Sequence, residues 1–426
     1  MPEPTTTTPI TPLTIPTHGD LTPTYTTLRH ALDGNTPLLI PTAPGHTPPT
    51  TATTATNLPP QATLAISTSG STGTPKLATC TATALHASIT ATEHALGGPG
   101  QWILTLPPHH IAGLQVILRS LAAGHNPIPI HRTTSFTATH LATALHQAQI
   151  TTPNTPHYTS LVPTQLARLL STTEGITTLR QLDAILVGGA ATPTELINRA
   201  KDHNINLITT YGMSETCGGC VYNGHPIGDT TITFTTNTTT ATATATRIQL
   251  TGTHIAHGYL HPTDNPTTLT LNTNTPFTHH PNGTRTYLTD DIGHINPDGT
   301  LTLEGRTDDI INTGGLKVLP THVENALAPH LPPGTAIHVT GIPHPEWGTT
   351  VAAAFAPTNP THIKHLQQLI PTALTAARET LPPHAIPRHT IVLPHLPQRG
   401  PGKPDRTAIR NALIRAQPHP ENPMPE

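Results

Sequence analysis

Apolar positions in the first half of the chain come in two spacings. LAIS (64–67), WILTL (102–106), AILV (184–187) and NLIT (206–209) are short apolar runs bounded by turn residues, as strands are. Between them, ATALHASITATEHAL, IAGLQVILRSLAAG and PTQLARLLST carry the spacing of helices. Strands alternating with helices point to an α/β layer architecture. Upstream, LRHALDGNTPLLI (28–40) reads as a short helix, a turn at Asp33-Gly34 and a strand. From about Thr230 to Leu303 the texture changes to short Thr-rich strands, with turns at Asn282-Gly283 and Asp298-Gly299. This stretch is expected to form an antiparallel sheet or small barrel, with TTNTTTATATAT as a weak hairpin. After GRTDDIINTGG, mixed helices and strands return as a small α+β domain.

A chain of 426 residues exceeds one ordinary core. The expected division is a Pro/Thr tail over 1–22 with little order, a large domain over 23–307, a second over 308–417, and a Pro-rich tail over 418–426. The 49 prolines and 31 glycines together stay below the roughly one-quarter share that marks low complexity, so the chain reads as globular. Only 10% of residues are charged and the net charge is −3, which argues against a nucleic-acid footprint. The N-terminus lacks a basic start and a continuous apolar core, so no signal peptide is expected. No run approaches the roughly 20 apolar residues that span a bilayer. A cytoplasmic location is the expectation. Three cysteines exclude a disulfide framework; Cys217 and Cys220 have CxxC spacing but no second pair, and read as small residues in a pocket wall. The 30 histidines show no metal-ligand spacing.

The densest chemistry lies in STSGSTGTPK (67–76). Gly70 and Gly73 free the backbone to wrap its N–H groups around phosphate oxygens. Ser69, Ser71, Thr72 and Thr74 add hydroxyl donors and Lys76 a mobile charge. The segment is not GxxxxGK[ST], so a P-loop NTPase is excluded.

This segment resembles the phosphate-binding signature of the adenylate-forming superfamily of acyl-CoA synthetases, peptide-synthetase adenylation domains and luciferases. Six further segments resemble that family's motifs in order: LPPHHIAG (106–113), LVGGAA (186–191), YGMSET (211–216), YLTDDIG (287–293), GRTDDIINTGGLKVLPTHVE (305–324) and GPGKPDR (400–406). The resemblance implies ATP, Mg2+ and CoA as cofactor and co-substrates. It assigns ATP binding to Thr68 through Thr74 and Lys76, to Gly188, Gly189 and Ala190, and to Tyr211, Gly212, Met213, Ser214 and Thr216. Asp291 and Arg306 would hold the ribose, and Glu215 the magnesium ion. Lys403, Thr216 and His110 would be catalytic, His110 bordering the acyl pocket. Asp308 would be the hinge of a mobile C-terminal domain, and Gly314 and Gly315 would border the thiol tunnel. The implied reaction activates a carboxylate as an acyl-AMP and passes the acyl group to a thiol.

Two features narrow the acid. The phosphate loop begins earlier than in most relatives, so part of the usual N-terminal subdomain is expected to be missing. The adenine motif also extends into YGMSETCGGCVYNGHPIGD. Both resemble the o-succinylbenzoate–CoA ligase family of menaquinone biosynthesis, in its short actinobacterial-type form. A second carboxylate on that acid calls for a cation, with Arg119, Arg132, Arg168, Arg180 and Arg199 as candidates, each read as a surface residue when taken alone. The alternatives are a CoA ligase for another aromatic or fatty acid, a carrier-protein-loading enzyme, and a non-catalytic binding relative. The expected partners are small molecules, with no nucleic acid and no membrane insertion, and a homodimer is allowed.

Overall fold

The computed structural model describes residues 7–16, 19–68, 76–130, 136–235, 246–274, 276–398 and 404–417. The chain divides into two compact units. The larger comprises residues 1–233, 249–289 and 297–300; the smaller comprises 234–248, 290–296 and 301–426. The smaller unit thus takes two segments from the Thr-rich region in addition to everything after residue 300.

The larger unit is an α/β structure built on a seven-stranded sheet. Gln101–Leu104, Ile128–Pro129, His157–Leu161, Ala184–Val187 and Leu207–Met213 run parallel, and Gly218–Tyr222 and His225–Pro226 add an antiparallel edge. AILV is fully buried along its length, as a strand covered on both faces requires. Among the helices, Ala82–Leu96 and Ile111–Ala122 begin at the residues that the apolar spacing marks. Thr81 caps the first by accepting from the Ala84 N–H, and Gly97 ends it at φ +90°. One side of the sheet buries Ile103, Leu141, Leu166, Leu179, Ile185 and Val187 in a continuous core.

A second, closed sheet of seven strands forms a barrel. It takes five strands from residues 7–81, and Tyr259–Pro262 and Thr268–Asn272 of the Thr-rich region supply the other two. Here one expectation is corrected: the Pro/Thr segment is not a loose tail over its described part. Thr7–Thr14 is a strand, parallel to Leu38–Thr42 and antiparallel to Thr54–Thr56. Threonine is β-branched and suits a pleated surface, and Ile10 inserts into the barrel core with Leu38, Ile40 and Leu260. The remaining Thr-rich strands form a separate sheet, in which Phe277–His279, Arg285–Ile295 and Leu301–Arg306 pair antiparallel as expected. The tip of the proposed hairpin lies outside the described residues.

In the smaller unit, Ala336–His344 and Gly348–Ala356 pair antiparallel, and His389–Val392 joins the second in parallel. Helices Pro320–Leu327, Ile363–Ala377 and Arg406–Arg415 accompany this sheet. Val323, Leu327, Val339, Phe355 and Ile370 form a core on one side, and Ile342, Ala354, Ile409 and Leu413 a second.

Candidate active site

In the larger unit the site is assembled at the end of strand Leu207–Met213. The strand turns through the 3-10 segment Ser214–Thr216 and returns as Gly218–Tyr222. A Cβ on Gly212 would lie 2.1 Å from the Gly218 carbonyl oxygen, so only glycine lets the two strands close here. Cys217 takes a left-handed conformation at φ +50° to reverse the chain. Thr216 is fully buried; its hydroxyl accepts from the Met213 N–H at 2.9 Å and donates to the Gly218 carbonyl at 2.6 Å. That hydroxyl holds the turn together here. On the neighbouring parallel strand, Gly188 also has no room for a side chain: an added Cβ would lie 2.4 Å from Thr210 Oγ1. The register of Val187 against Thr209 therefore sets Gly188, Gly189 and Ala190 beside half-buried Tyr211, at the carboxyl end of the strands. Ligands of parallel α/β sheets bind at that end.

Glu215 is 7% exposed and points into a cluster of aromatic hydroxyls. Its Oε1 accepts from the Tyr259 hydroxyl at 2.6 Å, and the Tyr259 and Tyr287 oxygens are 3.1 Å apart. Lys76, exposed at the start of strand Lys76–Thr81, places Nζ 5.1 Å from the centre of the Tyr259 ring. Burial, and then the Glu215 charge, pushes the Tyr259 hydroxyl far above its ordinary pKa, so it stays a neutral donor. A buried carboxylate is a suitable hard ligand for magnesium. Among the described residues no three His, Cys, Asp or Glu side chains converge as a metal cage. One carboxylate completed by phosphate oxygens and water is the way this ion is usually held, and the residues fit it.

His110 stands at the start of helix Ile111–Ala122, its ring 4.2 Å from that of His109. Farther along, Gln115 donates through Nε2 to the Cys217 carbonyl, and its Oε1 finds no hydrogen-bond partner among the described residues. Ser88 donates to the same carbonyl at 2.9 Å. Sequence reasoning gave no role to Gln115, Ser88, Tyr259 or Tyr287; each acts across a separation that no local motif spans. Arg119 departs from the surface reading. It is 3% exposed, with its guanidinium carbon 5.3 Å from the Trp102 ring centre. Arg168 and Arg199 donate to the carbonyls of Phe136 and Leu170 at 2.8 and 2.9 Å, and Arg180 is exposed. Cys217 and Cys220 are both buried, and burial raises the Cys220 thiol to about 12, far from a reactive thiolate.

The smaller unit brings together Asp291, Arg306 and Asp308. Asp291 pairs directly with Arg306 in an antiparallel ladder. The Arg306 guanidinium reaches Asp291 Oδ1 through Nη1 at 3.1 Å and grips Asp308 through Nε and Nη2 at 2.8 and 3.1 Å. Burial alone would lower the Arg306 pKa, but the Asp308 hydrogen bonds and the Asp291, Asp308 and Asp290 charges more than reverse this. Asp309 pairs with Arg406, the last residue of the lysine motif. Gly314 and Gly315, at φ +56° and +82°, form the two-residue turn between Ile311–Thr313 and Leu316–Val318. Positive φ at both positions is what a type I′ hairpin demands, so glycine has a local reason here apart from any tunnel. Ser69, Gly70, Ser71, Thr72, Gly73, Thr74, Arg132 and Lys403 lie outside the described residues.

A family model described as AMP-binding enzyme matches residues 18–254, and one described as AMP-binding enzyme C-terminal domain matches 322–403. The chain is 37% identical over 352 residues to a Mycobacterium tuberculosis protein named "Probable 2-succinylbenzoate–CoA ligase", covering 81% of this chain and 83% of the relative. It is 27% identical over 351 residues to the 2-succinylbenzoate–CoA ligase of Bacillus velezensis, covering 79% and 66%. Among solved structures, o-succinylbenzoate CoA synthetase of Bacillus subtilis in complex with its acyl-adenylate matches with TM-score 0.62 and 23% identity, over 82% of this chain and 68% of that one. ATP-bound MatB from Rhodopseudomonas palustris matches with TM-score 0.63 and 19% identity, over 82% and 68%. At these identities the two structures bear on the fold alone.

Proposed function

The chain belongs to the AMP-binding enzyme family, and from that membership we propose that it is an ATP-dependent 2-succinylbenzoate–CoA ligase. The observation that carries the acid is the likeness to the mycobacterial ligase along four-fifths of the chain. The site's chemistry supports the reaction class. Attack of a carboxylate on the α-phosphorus of ATP brings two anions together, so oriented donors and positive charge do most of the work. Lys76 supplies mobile charge beside the phosphate loop. Glu215 would hold the magnesium ion, which neutralises phosphate charge when bound. Tyr211, with Gly188 to Ala190, offers a flat slot for adenine, and Asp291 with Arg306 a pair of ribose partners. Thr216 is assigned to the α-phosphate, which requires its hydroxyl to leave the Gly218 carbonyl when nucleotide enters. His110 would border the acyl group and Lys403 would meet the reacting carboxylate. A rotation of the chain at Asp308 would then separate adenylation from thiol attack, with CoA passing Gly314 and Gly315.

On the same reading the enzyme acts in the cytoplasm; no helix among the described residues is long and apolar enough to cross a membrane. Light scattering on the purified chain decides between monomer and homodimer. The test of function is ATP–pyrophosphate exchange across a panel of acids, followed by detection of CoA thioesters. 2-Succinylbenzoate is expected to give by far the highest kcat/KM. A higher value for octanoate or benzoate would remove the acid assignment and leave the ligase class.

A further inference from the structure

We propose that Tyr259 is a positioning residue for Glu215, fixing the carboxylate in the orientation that meets the divalent cation accompanying ATP. The proposal rests on the adenylating function above and adds to it a residue that no motif assigns.

Two anchors on Glu215 come from one four-residue segment. The Ala256 N–H donates to the Glu215 main-chain carbonyl at 2.8 Å, and the Tyr259 hydroxyl donates to Oε1 at 2.6 Å. The first fixes the backbone and the second fixes the plane of the carboxylate. The segment itself is held firmly. Tyr259 pairs with Ala78 on the strand that leaves the phosphate loop, and a Cβ on Gly258 would lie 2.1 Å from the Asn272 carbonyl oxygen. The Tyr259 ring is wedged edge-on to Phe277 at 5.1 Å.

The direction of the hydrogen bonds follows from the chemistry of the groups. An ionised carboxylate only accepts, so the single Tyr259 proton goes to Glu215. The Tyr287 hydroxyl lies 3.1 Å from the Tyr259 oxygen, which keeps its lone pairs free to accept. A donor there would polarise the Tyr259 hydroxyl toward the carboxylate. A free glutamate loses rotamer freedom when it takes up a cation; one already fixed does not.

Partners that orient a metal-ligating carboxylate are worth roughly ten- to a hundred-fold in metal affinity. Tyr259→Phe removes the phenolic oxygen and keeps the ring. The experiment is equilibrium binding of a fluorescent ATP analogue to the full chain, titrated with Mg2+, for wild type, Tyr259→Phe, Glu215→Gln and the double variant. Tyr259→Phe is expected to need about ten-fold more Mg2+ for half-maximal enhancement of nucleotide binding. Its Mg2+-free nucleotide affinity should stay within about two-fold of wild type, which a merely structural role would not preserve. In the Glu215→Gln background the tyrosine change should add nothing. An unchanged Mg2+ half-saturation, an equal fall in Mg2+-free affinity, or additive losses would each overturn the proposal. Were the wild-type chain to show no Mg2+ enhancement at all, the adenylating function would fall first, and this proposal with it.

Discussion

Arg306→Lys isolates the contribution of a planar fork from that of a positive charge. The arginine makes two hydrogen bonds to Asp308 and one to Asp291. An ammonium group keeps the charge but cannot span both carboxylates, so two of the three bonds go. The side chains are 34% exposed for Arg306, 14% for Asp291 and 27% for Asp308, so solvent screens these bonds in part. Taking about 0.5–1 kcal/mol for each, between the scales for surface ion pairs and for charged hydrogen bonds, the loss is about 1–2 kcal/mol. Those bonds hold the guanidinium and Asp291 in place for the ribose, so their loss sets an upper bound of roughly five- to thirty-fold on the rise in the apparent KM for ATP. Pyrophosphate exchange measured against ATP concentration reads it directly, with a thermal midpoint to confirm that the variant is folded. A KM within two-fold of wild type would refute the assignment of Arg306 to the nucleotide.

Gly315→Ala places a Cβ where no atom lies within 4 Å, so its structural cost is that of a left-handed backbone alone, about 1–2 kcal/mol. Thioester formation from supplied acyl-AMP and CoA should fall more than adenylation does, and equal losses would leave the glycine as a turn residue only. In the smaller unit, burial raises Glu324 to about 7 and lowers His338 to about 4, with Asp309 and Arg406 nearby. Glu324 therefore contributes stability that is lost as pH rises from its unfolded value near 4.5 toward 7, while His338 contributes stability that is lost as pH falls from 6.5 toward 4. The two slopes oppose across most of that window. Glu324→Gln should unmask the histidine, so that stability rises with pH by up to about 1.4 kcal/mol per unit between pH 4.5 and 6.5 in urea titrations. A flat profile would show that the two groups do not titrate as assigned.

The elements legible in the sequence were those whose signal is local. AILV and ATALHASITATEHAL begin and end in the structure where their apolar spacing places them. The barrel was illegible because its strands pair across long separations: Thr268–Asn272 lies against Thr54–Thr56, some two hundred residues earlier. The Thr7–Thr14 segment misled for the same reason. Its composition is that of a loose tail, and only the partners at 38–42 and 54–56 make it a strand. Among candidate site residues, contiguous motifs single out Glu215 in the larger unit and Asp291 and Arg306 in the smaller one. Tyr259 is 44 residues from Glu215, and nothing in the spelling AHGYL declares a hydrogen bond to that carboxylate.

The pair Asp308-Asp309 shows what the motif GRTDDI encodes beyond its separate residues. The two neighbouring carboxylates are held by different arginines. Arg306, two positions upstream and beside the ribose-motif aspartate, takes Asp308; Arg406, 97 residues downstream and three past Lys403, takes Asp309. A backbone rotation at Asp308 would change the aim of its carboxylate while leaving Asp309 and its arginine on the far side of the pivot. On the proposed hinge at Asp308, the pair of Asp308 with Arg306 sits at the pivot itself, and the pair of Asp309 with Arg406 lies beyond it. On the proposed two-step reaction the two acids would therefore not be interchangeable: a rotation would strain the first pair and leave the second intact.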